Sequence, residues 1–197
     1  MTNLRTHPDK QVALSELPGL VPPRSTIGLG GAWMANHPMA AVRELLRARV
    51  GDLRLIGSLS SIDVDLLIGA GLVSELTFSM VSLEAYGLAP AFRRAAQENA
   101  ITLHEVSGVA MNVALDAGAH QLPYLPMRDI GGSQLVEVSP DHYHPVTCPF
   151  TGESLLAIRA INPDIALIHV RRADRSGNCQ VDGPLPTTPS WPGPRAG

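Results

Sequence analysis

The sequence predicts an α/β fold, an open, twisted, mainly parallel sheet with helices on both faces, from three observations. Short apolar or β-branched runs recur along the chain. Most of the early ones are followed by a stretch whose apolar residues repeat every three to four positions. Glycines mark many of the junctions, and strands that alternate with helical stretches pair in parallel through right-handed crossovers.

Residues 25–29 read as a strand that ends in glycines. Residues 39–49 follow as a helix carrying Ala40, Val42, Leu45, Leu46 and Ala48, with Pro38 suited to its start, where a missing N–H has no intrahelical partner. The unit repeats with a strand at 52–56, a short helix at 63–70 closed by Gly71, a strand at 76–81 and a helix at 90–99. A further strand at 101–105 leads to a helix at 109–117 that ends at Gly118. Prolines 123, 126, 140, 145 and 149 make residues 121–150 mostly irregular, with one strand at 134–138. The runs 155–160 and 165–170 are nearly continuous in apolar residues, as expected of central parallel strands covered on both sides.

These elements place a lead-in at 1–24, one domain at 25–183 and a tail at 184–197. The tail holds five prolines and shows no helical or strand period, a composition that does not support a packed core. With 197 residues, 45% of them apolar, the chain is long enough to bury roughly 70% of its unfolded surface. Two cysteines, Cys148 and Cys179, are too few for a disulfide framework and lack paired zinc spacing, which points to a reducing compartment and so to the cytoplasm. The net charge of −3 and the dispersed arginines argue against nucleic acid as a partner. No apolar run approaches the roughly 20 residues of a membrane helix, so no membrane partner is expected.

Several residues have chemistry worth locating. Gly28, Gly30 and Gly31 at a strand-to-helix turn either present backbone N–H groups to a phosphate or developing oxyanion, or supply the dihedrals of a tight turn. A dinucleotide fingerprint, and with it a nicotinamide oxidoreductase, is disfavoured because Trp33 stands where the third glycine is required. Glu105 closes a strand just before Ser107 and Gly108, at the carboxyl end where open α/β sheets bind ligands; the alternative is a carboxylate favoured by a helix N-terminus. Ser82 and Glu84 share that strand-end placement or else cap the next helix. His104 either orients Glu105 or is a satisfied, partly buried side chain. His142, His144 and Cys148 have ligand chemistry, and alternation would put both rings on one face, yet no fourth ligand lies nearby and no metal is expected. Otherwise Cys148 serves as a small apolar residue and Glu153 leads the strand that follows it.

Three separated blocks share a more particular punctuation. One is Cys148-Pro-Phe-Thr-Gly-Glu153, followed by the two apolar runs and by Asp174, Gly177, Asn178, Gln180, Asp182 and Gly183. Another is Ile27-Gly-Leu-Gly-Gly31 leading to Pro38, Arg43, Glu44 and Leu45, and a third is Asp65-Leu-Leu-Ile-Gly-Ala-Gly71 leading to Ser82, Leu83 and Glu84. Together they resemble the A subunit of family I coenzyme A transferases of the glutaconate type, over about 12–183.

That resemblance implies transfer of coenzyme A between an acyl-CoA and a free carboxylic acid, with coenzyme A as a substrate and no further cofactor. It implies a glutamyl-CoA intermediate on a homologous B subunit, an acyl-CoA pocket lined by Gly28, Gly30, Gly31, Ser82, Glu84 and Ser107, and a chain inactive alone. Two alternatives stay open: a hydrolase of the same fold acting on a CoA thioester with Glu105 as general base, and an inactive, shortened binding subunit. Relatives of this type continue past the position of Gly183, so the resemblance also implies a chain truncated at its C-terminus, with 155–160 or 165–170 left as an apolar edge.

Overall fold

The computed structural model describes residues 9–128 and 132–182. The first eight residues of the lead-in, Gly183 and the proline-rich tail at 184–197 lie outside the described residues. After a 3₁₀ turn at Leu14–Glu16, the chain forms α1 (Leu17–Leu20), β1 (Thr26–Leu29), α2 (Met39–Ala48), β2 (Leu53–Ser60), α3 (Ile62–Gly69) and β3 (Val73–Val81). A second 3₁₀ turn at Glu84–Tyr86 precedes α4 (Pro90–Glu98), β4 (Thr102–Glu105), α5 (Gly108–Ala119) and β5 (Tyr124–Met127). The remainder is α6 (Leu135–Val138), β6 (Tyr143–Thr147), β7 (Ser154–Arg159), β8 (Ile165–Leu167) and the small hairpin β9 (Arg172–Ala173) with β10 (Cys179–Gln180).

Five strands pair in parallel in the order β4-β3-β2-β1-β8. On one face Val42 and Leu45 of α2, Val64 and Leu67 of α3, and Ala91 and Ala95 of α4 close over Leu53, Leu55 and Leu76. Each fully buried leucine or valine there contributes about 1.5–3 kcal/mol by leaving water. Pro90 opens α4, and Arg49 and Asn99 end α2 and α4 in the left-handed conformation. On the other face α5 packs Ala110, Met111 and Ala114 against Ile56 of β2.

That second face differs from the sequence expectation. It is shared by α5 and a separate antiparallel sheet in the order β5-β7-β6. The run 155–160 is therefore the centre of this second layer and not a strand of the parallel sheet, with Tyr143, Leu156 and Ile158 facing the core. Only β8 joins the parallel sheet, at its edge beside β1 and not at its centre. The stretch 121–150, expected to be irregular, supplies β5 and β6, and both are edge strands. Pro126 and Pro145 lie within them, where an absent N–H removes no interior ladder bond. Residues 135–138, expected as a strand, are one turn of helix; a four-residue apolar run carries no period that separates the two.

Candidate active site

All five parallel strands end at the same edge of the sheet, and their order reverses between β1 and β8. Open α/β sheets bind ligands outside the carboxyl ends of strands, at such a reversal. The Gly30–Gly31 turn stands at this point.

The turn is built differently from a free nest of donors. Gly28 is interior to β1, paired on both sides with Ile56 and Ala166. The Gly30 N–H donates to the Leu167 carbonyl at 2.9 Å, extending the ladder to β8, and so is not available to an oxyanion. Gly30 also needs to be glycine, because a Cβ there would come within 2.9 Å of Ile168 Cγ2. At Gly31 the backbone turns to φ +117° and leaves β8; at Ala32 it rejoins β2 through a bridge to Leu59, and Trp33 N–H donates to the Leu59 carbonyl at 3.1 Å.

His37 holds this turn in place. Its ring lies so close to Gly31 that a Cβ there would stand 2.6 Å from Nδ1. Nδ1 meets Asp63 Oδ2 at 2.8 Å and Nε2 meets the Trp33 carbonyl at 2.6 Å. With Asp63 ionised both partners accept, and an imidazolium satisfies both by donating from each ring nitrogen. Burial by itself pushes the His37 pKa down, but the Asp63 hydrogen bond and charge, with the Trp33 carbonyl, outweigh it and hold the value above the ordinary imidazole range. Side-chain exposure is 5% for His37 and 1% for Asp63, so the pair is shielded from solvent screening. The other oxygen of Asp63 accepts from Ser61 N–H at 3.0 Å, and Asp65 accepts from Phe92 N–H at 2.8 Å. Asp63 thus accepts at the entry to α3, while Asp65 reaches across to the N-terminus of α4.

Trp33 and Met34, at the tip of the loop, are 52% and 47% exposed. The Ser61 hydroxyl donates to Met34 Sδ, and Asn36 Nδ2 donates to the Asp182 carbonyl at 3.1 Å, which brings the end of the β9–β10 hairpin over the loop. Asp174, Gly177 and Asn178 make that hairpin turn: Asp174 accepts from Ser176 N–H, Asn178 N–H and Asn178 Nδ2. The Asn178 hydrogen bonds hold the Asp174 carboxyl below its ordinary value.

The remaining sequence candidates also reach this edge of the sheet. Ser82 accepts from Glu84 N–H at 3.0 Å, and Glu84 is exposed on a single 3₁₀ turn with φ +53°. Ser107 caps α5, accepting from Ala110 N–H, while its own N–H donates to Tyr143 Oη at 2.8 Å. Glu105 is exposed at the end of β4 opposite Phe78. Three strand intervals, roughly 14 Å, separate β4 from β1, so Glu105 does not stand beside the glycine turn.

His104 faces away from Glu105 along the alternating strand. Its ring meets His142 edge to face, with centroids 5.7 Å apart, in a cleft of about 270 Å³ between the two sheets. Desolvation, then the nearby His104 and Arg159, push the His142 pKa below the ordinary range, and its buried Nδ1 has no hydrogen-bond partner among the described residues. His144, two residues on, is exposed. Cys148 is a free thiol in the β6–β7 turn, where hydrogen bonds from the Thr151 side chain and nearby backbone lower its pKa. Sequence reasoning missed the His37–Asp63 pair; two aspartates within the otherwise apolar Ile62–Gly69 helix were the available signal.

Residues 17–190 match the Coenzyme A transferase family. The A subunit of 3-oxoadipate CoA-transferase from Pseudomonas knackmussii is 37% identical over 75% of this chain and 53% of its own length. The cholesterol ring-cleaving hydrolase IpdA subunit of Rhodococcus jostii is 34% identical over 89% of this chain and 61% of its own. The chain thus spans between half and two thirds of the length of these curated relatives. The crystal structure of glutaconate coenzyme A-transferase from Acidaminococcus fermentans superposes with a TM-score of 0.82 at 26% identity, over 88% of this chain and 60% of that one. No helix among the described residues is long and apolar enough to cross a membrane. The chain belongs to the coenzyme A transferase family.

Proposed function

We propose that this chain is the A-type part of a coenzyme A transferase, acting with a homologous B subunit on an acyl-CoA and a free carboxylic acid. The observation that carries the reading is the strand reversal at the Gly30–Gly31 turn, with Trp33 and Met34 left exposed beside it. A flat, partly apolar edge of this kind makes one wall of a pocket and needs a second wall to exclude water. The partner supplies that wall together with the nucleophile. Its glutamate carboxylate attacks the thioester carbonyl, expelling the CoA thiolate and leaving a mixed anhydride; the thiolate then attacks the glutamyl carbonyl, releasing the first acid and forming glutamyl-CoA. Attack by the second acid and return of the thiolate complete a ping-pong cycle.

Within that scheme the present chain positions and desolvates. Gly30 gives close backbone approach rather than a donor, because its N–H is held by Leu167. Gly31 and Trp33 shape the turn, while Ser82, Glu84 and Ser107 line the edge towards β4. Coenzyme A is a substrate in this scheme, and no resident cofactor or metal is required. Co-expression with a homologous B subunit tests the proposal: an associated pair that exchanges CoA between a thioester and a carboxylate supports it, and a pair that neither associates nor turns over any acyl-CoA overturns it.

A second reading is a hydrolase of the same fold acting on a CoA thioester with Glu105 as general base; the likeness to a ring-cleaving hydrolase subunit supports the hydrolase part, and the exposed strand-end position of Glu105 supports its role. Loss of turnover in Glu105→Gln, with activity retained when the partner's glutamate is replaced, selects this reading. Unchanged activity in Glu105→Gln removes it.

A further inference from the structure

The loop from Gly31 to His37 is held in a conformation that its sequence does not favour. Trp33 and Asn36 have φ of +60° and +58°, and Gly31 has +117°. A bulky residue such as Trp33 is strained in the left-handed region and persists there only where its surroundings impose it. Around it Ala32 and Ala35 exchange both backbone hydrogen bonds at 2.9 Å, Asn36 is tied to Asp182 and Met34 to Ser61. Trp33 N–H is taken by Leu59, Trp33 C=O by His37 Nε2, and the His37 ring is pinned from the other side by Asp63.

Removing the second ring proton would leave a lone pair facing either the Asp63 carboxylate or the Trp33 carbonyl. Two acceptors at hydrogen-bond distance repel. Asp63 is itself fixed by Ser61 N–H at the start of α3, so the movable party is the loop segment carrying Trp33.

We infer that His37, as a buried imidazolium bridging Asp63 and the Trp33 carbonyl, is a positioning residue that sets the Gly31–Trp33 loop in its acyl-CoA-binding conformation. This deepens the function proposed above and rests on it for the acyl-CoA part alone. Asp63 is the charged group that faces the ring, from α3; Trp33 faces it through its carbonyl and Gly31 through its backbone. His37 touches no reacting atom in this assignment. As pH rises through its elevated pKa the imidazolium is lost, the Trp33 carbonyl loses its donor, and the loop departs from its bound shape.

The test uses the full chain with Trp191→Phe, so that Trp33 is its sole tryptophan. Trp33 fluorescence is recorded against pH alongside the ring nitrogen resonances of His37 in ¹⁵N-histidine-labelled protein. The expected result is one shared transition above the ordinary imidazole value, with both nitrogens protonated below it and the fluorescence step absent in His37→Gln. A neutral tautomer of His37 at pH 6, or the same fluorescence step in His37→Gln, overturns the assignment whether or not the acyl-CoA reading holds.

In the assembled pair, His37→Gln and Asp63→Asn are expected to raise KM for acyl-CoA about tenfold, with kcat kept within twofold and association unchanged. The alkaline limb of kcat/KM should shift with the variant. Variants that assemble and keep the native KM and alkaline limb overturn the positioning role. A native pair without activity on any acyl-CoA overturns the proposed function and leaves the spectroscopic test standing.

Discussion

Two partly buried histidines, at opposite ends of the parallel sheet, are handled in opposite ways. His37, where β1 ends, faces two acceptors and has its pKa raised despite burial. His142, in the cleft between the sheets, faces His104 and Arg159 and has its pKa lowered. Burial acts on both in the same direction, so the difference comes from partners: a carboxylate and a carbonyl at one site, cationic or cationisable groups at the other. The contrast also separates a site arranged to keep charge from one arranged to stay neutral.

The largest expected effect breaks the charged site. Asp63→Ala leaves a buried imidazolium without its counter-ion and the Ser61 N–H without an acceptor, and should cost about 3–5 kcal/mol in urea unfolding. His142→Ala should cost less, since no hydrogen bond to its Nδ1 is lost among the described residues. Equal losses at the two positions would dissolve the comparison.

Next comes Gly31→Ala, which places a Cβ on the His37 ring at a φ of +117°. Overpacking and backbone strain together should cost roughly 2–4 kcal/mol. Gly152→Ala, at φ +73° with open space around its Cβ, serves as the control, and only the left-handed penalty of about 1–2 kcal/mol is expected there.

Much of the parallel half of the molecule was legible because its signals are local. The glycine junctions and helical periods of 39–49 and 90–99 recur as α2 and α4 within a residue of the observed bounds. The antiparallel half was not, because an apolar run such as 155–160 looks the same whether its neighbours are parallel strands or a meander, and the neighbours are 124–127 and 143–147. Prolines that suggest loops are also compatible with edge strands, and β5 and β6 are both edges. The strand-end positions of Gly30, Glu105, Ser82 and Ser107 could be read from the sequence, whereas the use of Gly30 N–H by β8 could not. That bond joins residues more than a hundred positions apart. His37 and Asp63 belong to the same class: one precedes a proline in a loop, the other opens a helix, and nothing local says that they meet.

The pH dependence sharpens the contrast by sign. His37 has a folded pKa above its unfolded value, so its contribution is complete below the unfolded value near pH 6.5 and is lost as pH rises through the folded one. His142 has a folded pKa below its unfolded value, so its neutral packing is fully favourable above about pH 6.5 and is lost as pH falls through the folded one. Unfolding curves from pH 5 to 9 should therefore show His37→Gln flattening the alkaline fall and His142→Phe flattening the acid one. The phenyl ring fills similar volume without an unsatisfied nitrogen, so His142→Phe should also gain about 1 kcal/mol at pH 5.

The smallest effect tests whether the inter-sheet cleft has a counter-ion of its own. Glu75 Oε2 stands 3.8 Å from His104 Nε2, with the two side chains 45% and 28% exposed. A contact this long and this open to solvent should be worth no more than about 0.5 kcal/mol. Glu75→Gln should thus lower stability by no more than that amount. A loss comparable to that of Asp63→Ala would mean that Glu75 serves this cleft as Asp63 serves the glycine turn, and the distinction between the two histidines would then lie in geometry rather than in charge.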